Sequence, residues 1–184
     1  ISEGGKEELQ MIERIGRVCY KSEDKITEDG ESAKKFVRML INAHHEAMIE
    51  HSTLSVMFTV DRGVSHEMVR HRIASFAQES TRYVNYSKDK YGNEINVIDL
   101  APGIALDRRM QDMPIEAILN EWELAMLDAE KHYMKMIELG ATAQIARSVL
   151  PNSTKTNITI TANYREWRNY FRLRTASDAH PQIR

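Results

Sequence analysis

The densest chemistry in the chain lies in one stretch: Arg70-His71-Arg72-Ile73-Ala74-Ser75-Phe76-Ala77-Gln78-Glu79-Ser80-Thr81-Arg82-Tyr83. Three cationic or potentially cationic side chains are adjacent, and Arg82 follows across a polar interval. Gly63 is expected to break the strand before them, and Ser65 to cap a short helix through Arg72. Neighbours on a helix point about 100° apart, so Arg70, His71 and Arg72 cannot share one solvated stripe. They are expected to reach different ligands, or different parts of one. Arginine's planar fork suits phosphate and carbonyl oxygens, and Ser80 adds a small donor. For an isolated Arg-His-Arg, a solvated basic face with core histidines is the simpler reading. The balance shifts because Arg147 precedes a proline, Asn163 and Asn169 flank the last helix, and Arg174 sits at its end. Each alone has a structural explanation: Asn163 as a cap, Arg174 as partner of a helix C-terminus, Arg147 beside a surface carboxylate. Only the set argues for a ligand site.

The elements that position these residues follow from periodicity. Lys6 to Tyr20 has helical spacing, with Leu9, Ile12, Ile15 and Cys19 on one stripe, which makes Cys19 a buried hydrophobe. Glu31 to His44 repeats the pattern through Phe36, Val37, Leu40 and Ile41. Leu54, Val56, Phe58 and Val60 alternate with polar neighbours and predict a half-buried strand over Ser52 to Asp61. Ser75 to Ser87 reads as extended or looped. Pro114 opens the longest helix, which carries Ile115, Ile118, Leu119, Trp122, Met126 and Ala129 and stops at Gly140. Ala143 to Leu150 is a short helix ended by Pro151. Thr156, Ile158, Ile160 and Ala162 alternate as a second strand. Asn163 with Glu166 three residues on resembles a capping box for a helix from Tyr164 to Leu173. Helices outnumber strands and no strand-helix-strand series repeats. The expected class is α+β, a single domain with long helices packed on a small, mainly antiparallel sheet.

Composition narrows the function classes. The 25 basic and 27 acidic residues leave a formal charge of -2, which recommends neither nucleic acid nor a membrane surface as partner. No apolar run is long enough to span a bilayer. The single cysteine rules out an internal disulfide framework and fits a reducing, cytoplasmic setting. His44, His45, His51, His66 and His71 form no helical His-x3-His pair with a third ligand, so no metal site is expected. With no repeat or linker, residues 1–184 read as one domain. The start at Ile1 and the end at Pro181-Gln182-Ile183-Arg184 read as cut at both ends.

Arg-His-Arg, seven residues, then Ser80, with Arg82-Tyr83 following, resembles the signature of flavin-dependent thymidylate synthases. The likeness continues in His45-Glu46 and Glu50-His51, in Ile145-Ala146-Arg147-Ser148-Val149-Leu150-Pro151, and in Asn163, Arg165, Asn169 and Leu173-Arg174, in the family's order from about Arg17 to Arg184. The resemblance implies FAD-dependent methylation of dUMP, with methylenetetrahydrofolate as one-carbon donor and NADPH as reductant. It also implies a homotetramer with active sites shared between subunits. Arg70, His71, Arg72, Gln78, Asn163, Arg165 and Asn169 would contact FAD. Glu67, Arg70, Gln78, Glu79, Ser80, Arg82 and Arg147 would surround dUMP. Arg174 would face the uracil imide and favour its ionised form, raising electron density on the carbon to be alkylated.

The chain also departs from some relatives, which carry glutamate at Gln78, glutamine at Glu67 and a hydroxyl residue at Ala47. His45 aligns with a family histidine near the flavin, a packed core histidine being the other reading. Ser80 has no adjacent base of the Ser-His-Asp type, and so reads as a ligand donor. The competing class is a non-catalytic nucleotide- or RNA-binding module built on the same arginines. It lacks both the net positive charge and the aromatic platform such modules use.

Overall fold

The first fifty residues fold as their spacing dictates: a helix α1 over Glu3–Tyr20 and a helix α2 over Glu31–Asn42, followed by a 3-10 turn over Glu46–His51. The computed structural model describes residues 3–88 and 92–184. In it the chain groups into two compact units, Ile1–Ser55 with Thr161–Phe171, and Val56–Ile160 with Arg172–Arg184. The remaining elements are strand β1 (Thr53–Asp61), helix α3 (Arg62–Met68), strand β2 (Ala74–Gln78), helices α4 (Ala101–Leu106), α5 (Ile115–Glu138) and α6 (Ala143–Ala146), strand β3 (Lys155–Asn163) and helix α7 (Tyr164–Arg174). The strands form one antiparallel sheet in the order β1-β3-β2, and the class is α+β. Register is visible in the side chains: Ser55 and Thr161 share a hydroxyl bond of 2.7 Å, and Thr59 Oγ1 donates to Asn157 Oδ1 at 2.9 Å. Both pairs sum to the same residue number, as an antiparallel ladder requires.

In the first unit, Ile12, Phe36, Val37, Leu40 and Ile49 close a core flanked by Leu9, Ile41, Met48 and Tyr164. Helices α1 and α2 approach closely because position 16 is glycine; a Cβ there would lie 2.6 Å from a Phe36 ring carbon. Beside this contact Glu13 is fully buried. Arg17 donates to its Oε1 from Nε (3.1 Å) and Nη2 (2.9 Å), and Ser32 Oγ donates to Oε2 at 2.8 Å. The Arg17 guanidinium also lies 4.4 Å from the centre of the Phe36 ring. A buried carboxylate is tolerable only with its lone pairs satisfied in this way.

The line that faces Phe36 runs Ile12, Gly16, Tyr20, the last ring packing edge-on at 6.1 Å between centroids. Cys19 falls off the side of that line and is exposed, so it is not the buried hydrophobe its spacing predicted. His45 is also outside the core. It is exposed, and its Nδ1 lies 2.7 Å from the Tyr20 hydroxyl.

In the second unit, Tyr86, Ile95, Tyr133 and Ala146 form the core, with Val84, Val97, Met134 and Ile137 against it. The Tyr86 and Tyr133 rings pack edge-on at 5.7 Å, and burial raises the Tyr133 phenol above its ordinary range. Helix α5 ends where Gly140 takes a φ of +94°, a left-handed stop that glycine adopts without a Cβ penalty. Strand β3 alternates as predicted: Thr156, Ile158, Ile160 and Ala162 are buried, with half-buried residues between them. Strand β1 alternates only partly, and its Leu54 is 45% exposed. Among the described residues no helix is long and apolar enough to cross a membrane.

Candidate active site

The Arg-His-Arg segment is held by the end of α3 and the start of β2, both in the second unit. Helix α3 starts earlier than its sequence suggested. Asp61 is the cap, accepting the Val64 N–H at 2.6 Å, and Gly63 lies inside the helix. Ser65 is fully buried mid-helix, its hydroxyl donating to the Arg62 carbonyl at 2.8 Å. The helix ends at Met68, so Arg70, His71 and Arg72 occupy a turn and the bend that follows it rather than helical positions. They still diverge: His71 is buried at 5% exposure, while Arg70 and Arg72 are exposed. Turn geometry separates them, in place of the helical rotation that the spacing implied.

Arg174, at the end of α7, meets this segment. Its Nε donates to His71 Nε2 at 3.0 Å, Nη1 to Glu67 Oε2 at 2.8 Å, and Nη2 to the Glu67 carbonyl at 2.7 Å. Its side chain is 15% exposed. Arg70 shares the same carboxylate more loosely, at 3.5 Å with its side chain 71% exposed. The Arg174 hydrogen bond, with Arg70 as a second cation, holds the Glu67 carboxyl below its usual range.

The far end of β2 carries the next three site residues. Gln78 Nε2 donates to Ser65 Oγ at 2.8 Å and to Thr156 Oγ1 at 3.3 Å. Glu79 is tied to β3: its N–H donates to the Asn157 carbonyl at 3.0 Å, and its Oε2 accepts from Asn157 N (3.3 Å) and Lys155 Nζ (3.4 Å). Ser80 opens a turn, its Oγ accepting the Arg82 N–H at 3.3 Å.

Beyond it the loop and α6 exchange reciprocal bonds. Arg82 Nε donates to Gln144 Oε1 at 3.2 Å, and Arg147 Nη1 to Thr81 Oγ1 at 3.4 Å. Arg82 and Arg147 are thereby neighbours, both exposed. Every residue expected around dUMP, together with Arg174, therefore lies in this one unit.

The residues expected to contact FAD are divided. Arg70, His71, Arg72 and Gln78 are in the second unit; Asn163, Arg165 and Asn169 are in the first. Asn163 Oδ1 accepts the Glu166 N–H at 2.9 Å, the cap its spacing predicted. Asn169 Nδ2 donates to the Glu166 carboxylate at 3.3 Å. Arg165 is paired with Glu50 and lies 3.7 Å from Glu46, and its pKa is raised chiefly by the Glu50 hydrogen bond. Arg168 joins the same group through Glu46 at 3.3 Å.

Several partners escaped the sequence reading: Ser65 and Thr156 beneath Gln78, Lys155 on Glu79, Thr81 under Arg147 and Gln144 on Arg82. Lys155 and Asn157 occupy the polar parity of β3. Reading that parity as closely as the apolar one would have flagged them.

The model of the family described as thymidylate synthase complementing protein matches residues 4–184. A flavin-dependent thymidylate synthase of Corynebacterium aurimucosum is 31% identical over 192 residues, covering 100% of this chain and 74% of that protein. Proteins of the same name from Mycolicibacterium gilvum (32%) and Mycobacteroides abscessus (31%) align over 178 residues, covering 95% of this chain and 70% of each relative. The chain belongs to the flavin-dependent thymidylate synthase family, and it is an enzyme of that type.

Proposed function

We propose that the chain catalyses the reductive methylation of dUMP to dTMP, with methylenetetrahydrofolate as one-carbon donor, NADPH as reductant and FAD as cofactor. The observation that carries the reading is the arginine set of the second unit. Arg174 is anchored on Glu67 and His71, while the guanidinium groups of Arg70, Arg72, Arg82 and Arg147 face outward. Among the described residues Arg72 has no partner and Arg70 only the loose one to Glu67, so both are free to bind an anion such as a dinucleotide pyrophosphate. The donor set of this unit thus fits FAD at Arg70, His71, Arg72 and Gln78. FAD, once reduced by NADPH, supplies the hydride, and the protein contributes binding, orientation and charge.

Arg82 and Arg147 hold the nucleotide through charge-assisted hydrogen bonds, with Ser80 and Glu79 beside them. Arg174 stabilises negative charge on the uracil ring, which raises electron density at the carbon to be alkylated. No side chain need bond covalently to the base: Ser80 has no histidine or carboxylate on its hydroxyl among the described residues. The family match over residues 4–184 supports one catalytic domain. Exposed Leu124 (54%) and Leu127 (59%) on α5, with Ile73 (69%) and Tyr83 (82%), support assembly into a homotetramer with shared sites. A reducing cytoplasmic setting suits the exposed lone thiol.

Titration with FAD tests the reading. Binding should quench flavin fluorescence and raise thermal stability by mass action, and dTMP should form when all three substrates are present. No change in fluorescence or stability at saturating FAD would overturn it.

A further inference from the structure

Arginine has five N–H donors in a rigid fork. Three of those in Arg174 are engaged, one by His71 and two by Glu67. Both Glu67 bonds come from the same residue in the last turn of α3, one through the carboxylate and one through the main-chain carbonyl. Two donors grasped by one helix-end residue fix the plane of the guanidinium as well as its position. The third bond, to His71, fixes the rotation about Nε. An Nε2 that accepts a hydrogen bond bears no proton, so His71 supplies a lone pair here and not a charge. Among the described residues the remaining two N–H groups have no partner, and they are what Arg174 can present to a ligand.

We propose that Glu67 is the positioning residue for Arg174: it aims the two unengaged N–H groups, acting on the uracil through Arg174. The inference rests on the proposed role of Arg174 and narrows that of Glu67, which the family resemblance places directly against dUMP. A carboxylate 2.8 Å from the guanidinium leaves the pair nearly neutral. Arg174 then stabilises a ring anion mainly through aimed hydrogen bonds, which gain strength as charge develops.

The test compares E67A, E67Q and E67D in the full chain. The first readout is solvent exchange of the Arg174 Nη–H groups by low-temperature ¹⁵N NMR, assigned by their loss in R174K. Removing the anchor in E67A should speed this exchange by about tenfold or more, while E67Q, which still accepts a hydrogen bond, stays within about threefold of the parent. The second readout is steady-state kinetics. E67A should lower kcat by about tenfold with KM for dUMP moving less than about threefold, and E67Q should recover most of the loss. E67D keeps the charge but shortens the reach, and should fall with E67A; it stands in for E67A if that variant does not fold. Unchanged exchange in E67A, or a kcat loss that E67Q fails to recover, overturns the proposal. If the parent chain makes no dTMP, the proposed reaction fails on that ground, and the exchange readout still decides whether Glu67 anchors Arg174.

Discussion

Two arginine–glutamate pairs in this molecule have similar closest distances and opposite fates. In the first unit Arg17 meets Glu13 at 2.9 Å, with side chains 12% and 0% exposed. In the second unit Arg174 meets Glu67 at 2.8 Å, with side chains 15% and 37% exposed. Glu13 is closed off by Ser32 and by both Arg17 nitrogens, and the guanidinium lies over the Phe36 ring. Arg174 makes three hydrogen bonds, as Arg17 does, yet its carboxylate partner reaches solvent. The residue types are identical. What separates the two pairs is how far the surroundings close off the carboxylate.

That contrast can be broken most forcefully at Arg17. Arg17→Ala strands a buried carboxylate, and should lower unfolding free energy by roughly 3–5 kcal/mol in chemical denaturation. A loss no larger than that of an exposed ion pair would remove the distinction. Arg174→Ala should behave in reverse, binding FAD and folding while turnover falls roughly 10²–10³-fold, the scale for removing one aimed donor. Smaller effects should follow at Arg82→Ala and Arg147→Ala, which should weaken dUMP binding by roughly 1.5–3 kcal/mol in calorimetry and leave NADPH-driven flavin reduction less affected. Asn163→Ala removes a cap, and should lower the stability of the flavin-free protein by about 1 kcal/mol. Least of all, Cys19→Ala should shift stability by no more than about 0.5 kcal/mol, because the thiol is exposed, and it should keep activity. A uracil adduct on Cys19 in quenched-turnover mass spectrometry would overturn the mechanism.

Local chemistry was legible in the sequence where it is self-contained. The alternation of Thr156, Ile158, Ile160 and Ala162, the Asn163 cap and the Gly140 stop each depend on neighbours within a few residues, and each appears as expected. Strand β2 was hidden because Ala74, Ser75 and Ala77 have little β-propensity; pairing with distant β3 makes it a strand. The start of α3 was misplaced because Ser65 and Asp61 are both competent caps, and only the bond to Val64 N–H selects between them. Cys19 was misread because helical spacing names a stripe but not which edge of it meets a partner. The identities of the site residues came from the family signature, whereas the pairing of Arg174 with Glu67, across 107 positions of sequence, is a property of the fold.

Gln78 shows how a proton count can fix a residue's identity. The Ser65 hydroxyl has one hydrogen, and that hydrogen is already donated to the Arg62 carbonyl. Toward position 78 Ser65 can only accept, so the group opposite must bring a hydrogen, as the Gln78 amide does. An ionised glutamate has none to offer. A glutamate at this position would have to be the neutral acid, or the serine would have to turn away from the helix carbonyl. The amide in this chain therefore does more than remove a charge: it sets the direction of a short relay from Gln78 through Ser65 to Arg62. With its nitrogen bonded to Ser65 and Thr156, Gln78 keeps its carbonyl oxygen as the other polar end of the amide. A ligand group that met Gln78 there would have to be a hydrogen-bond donor.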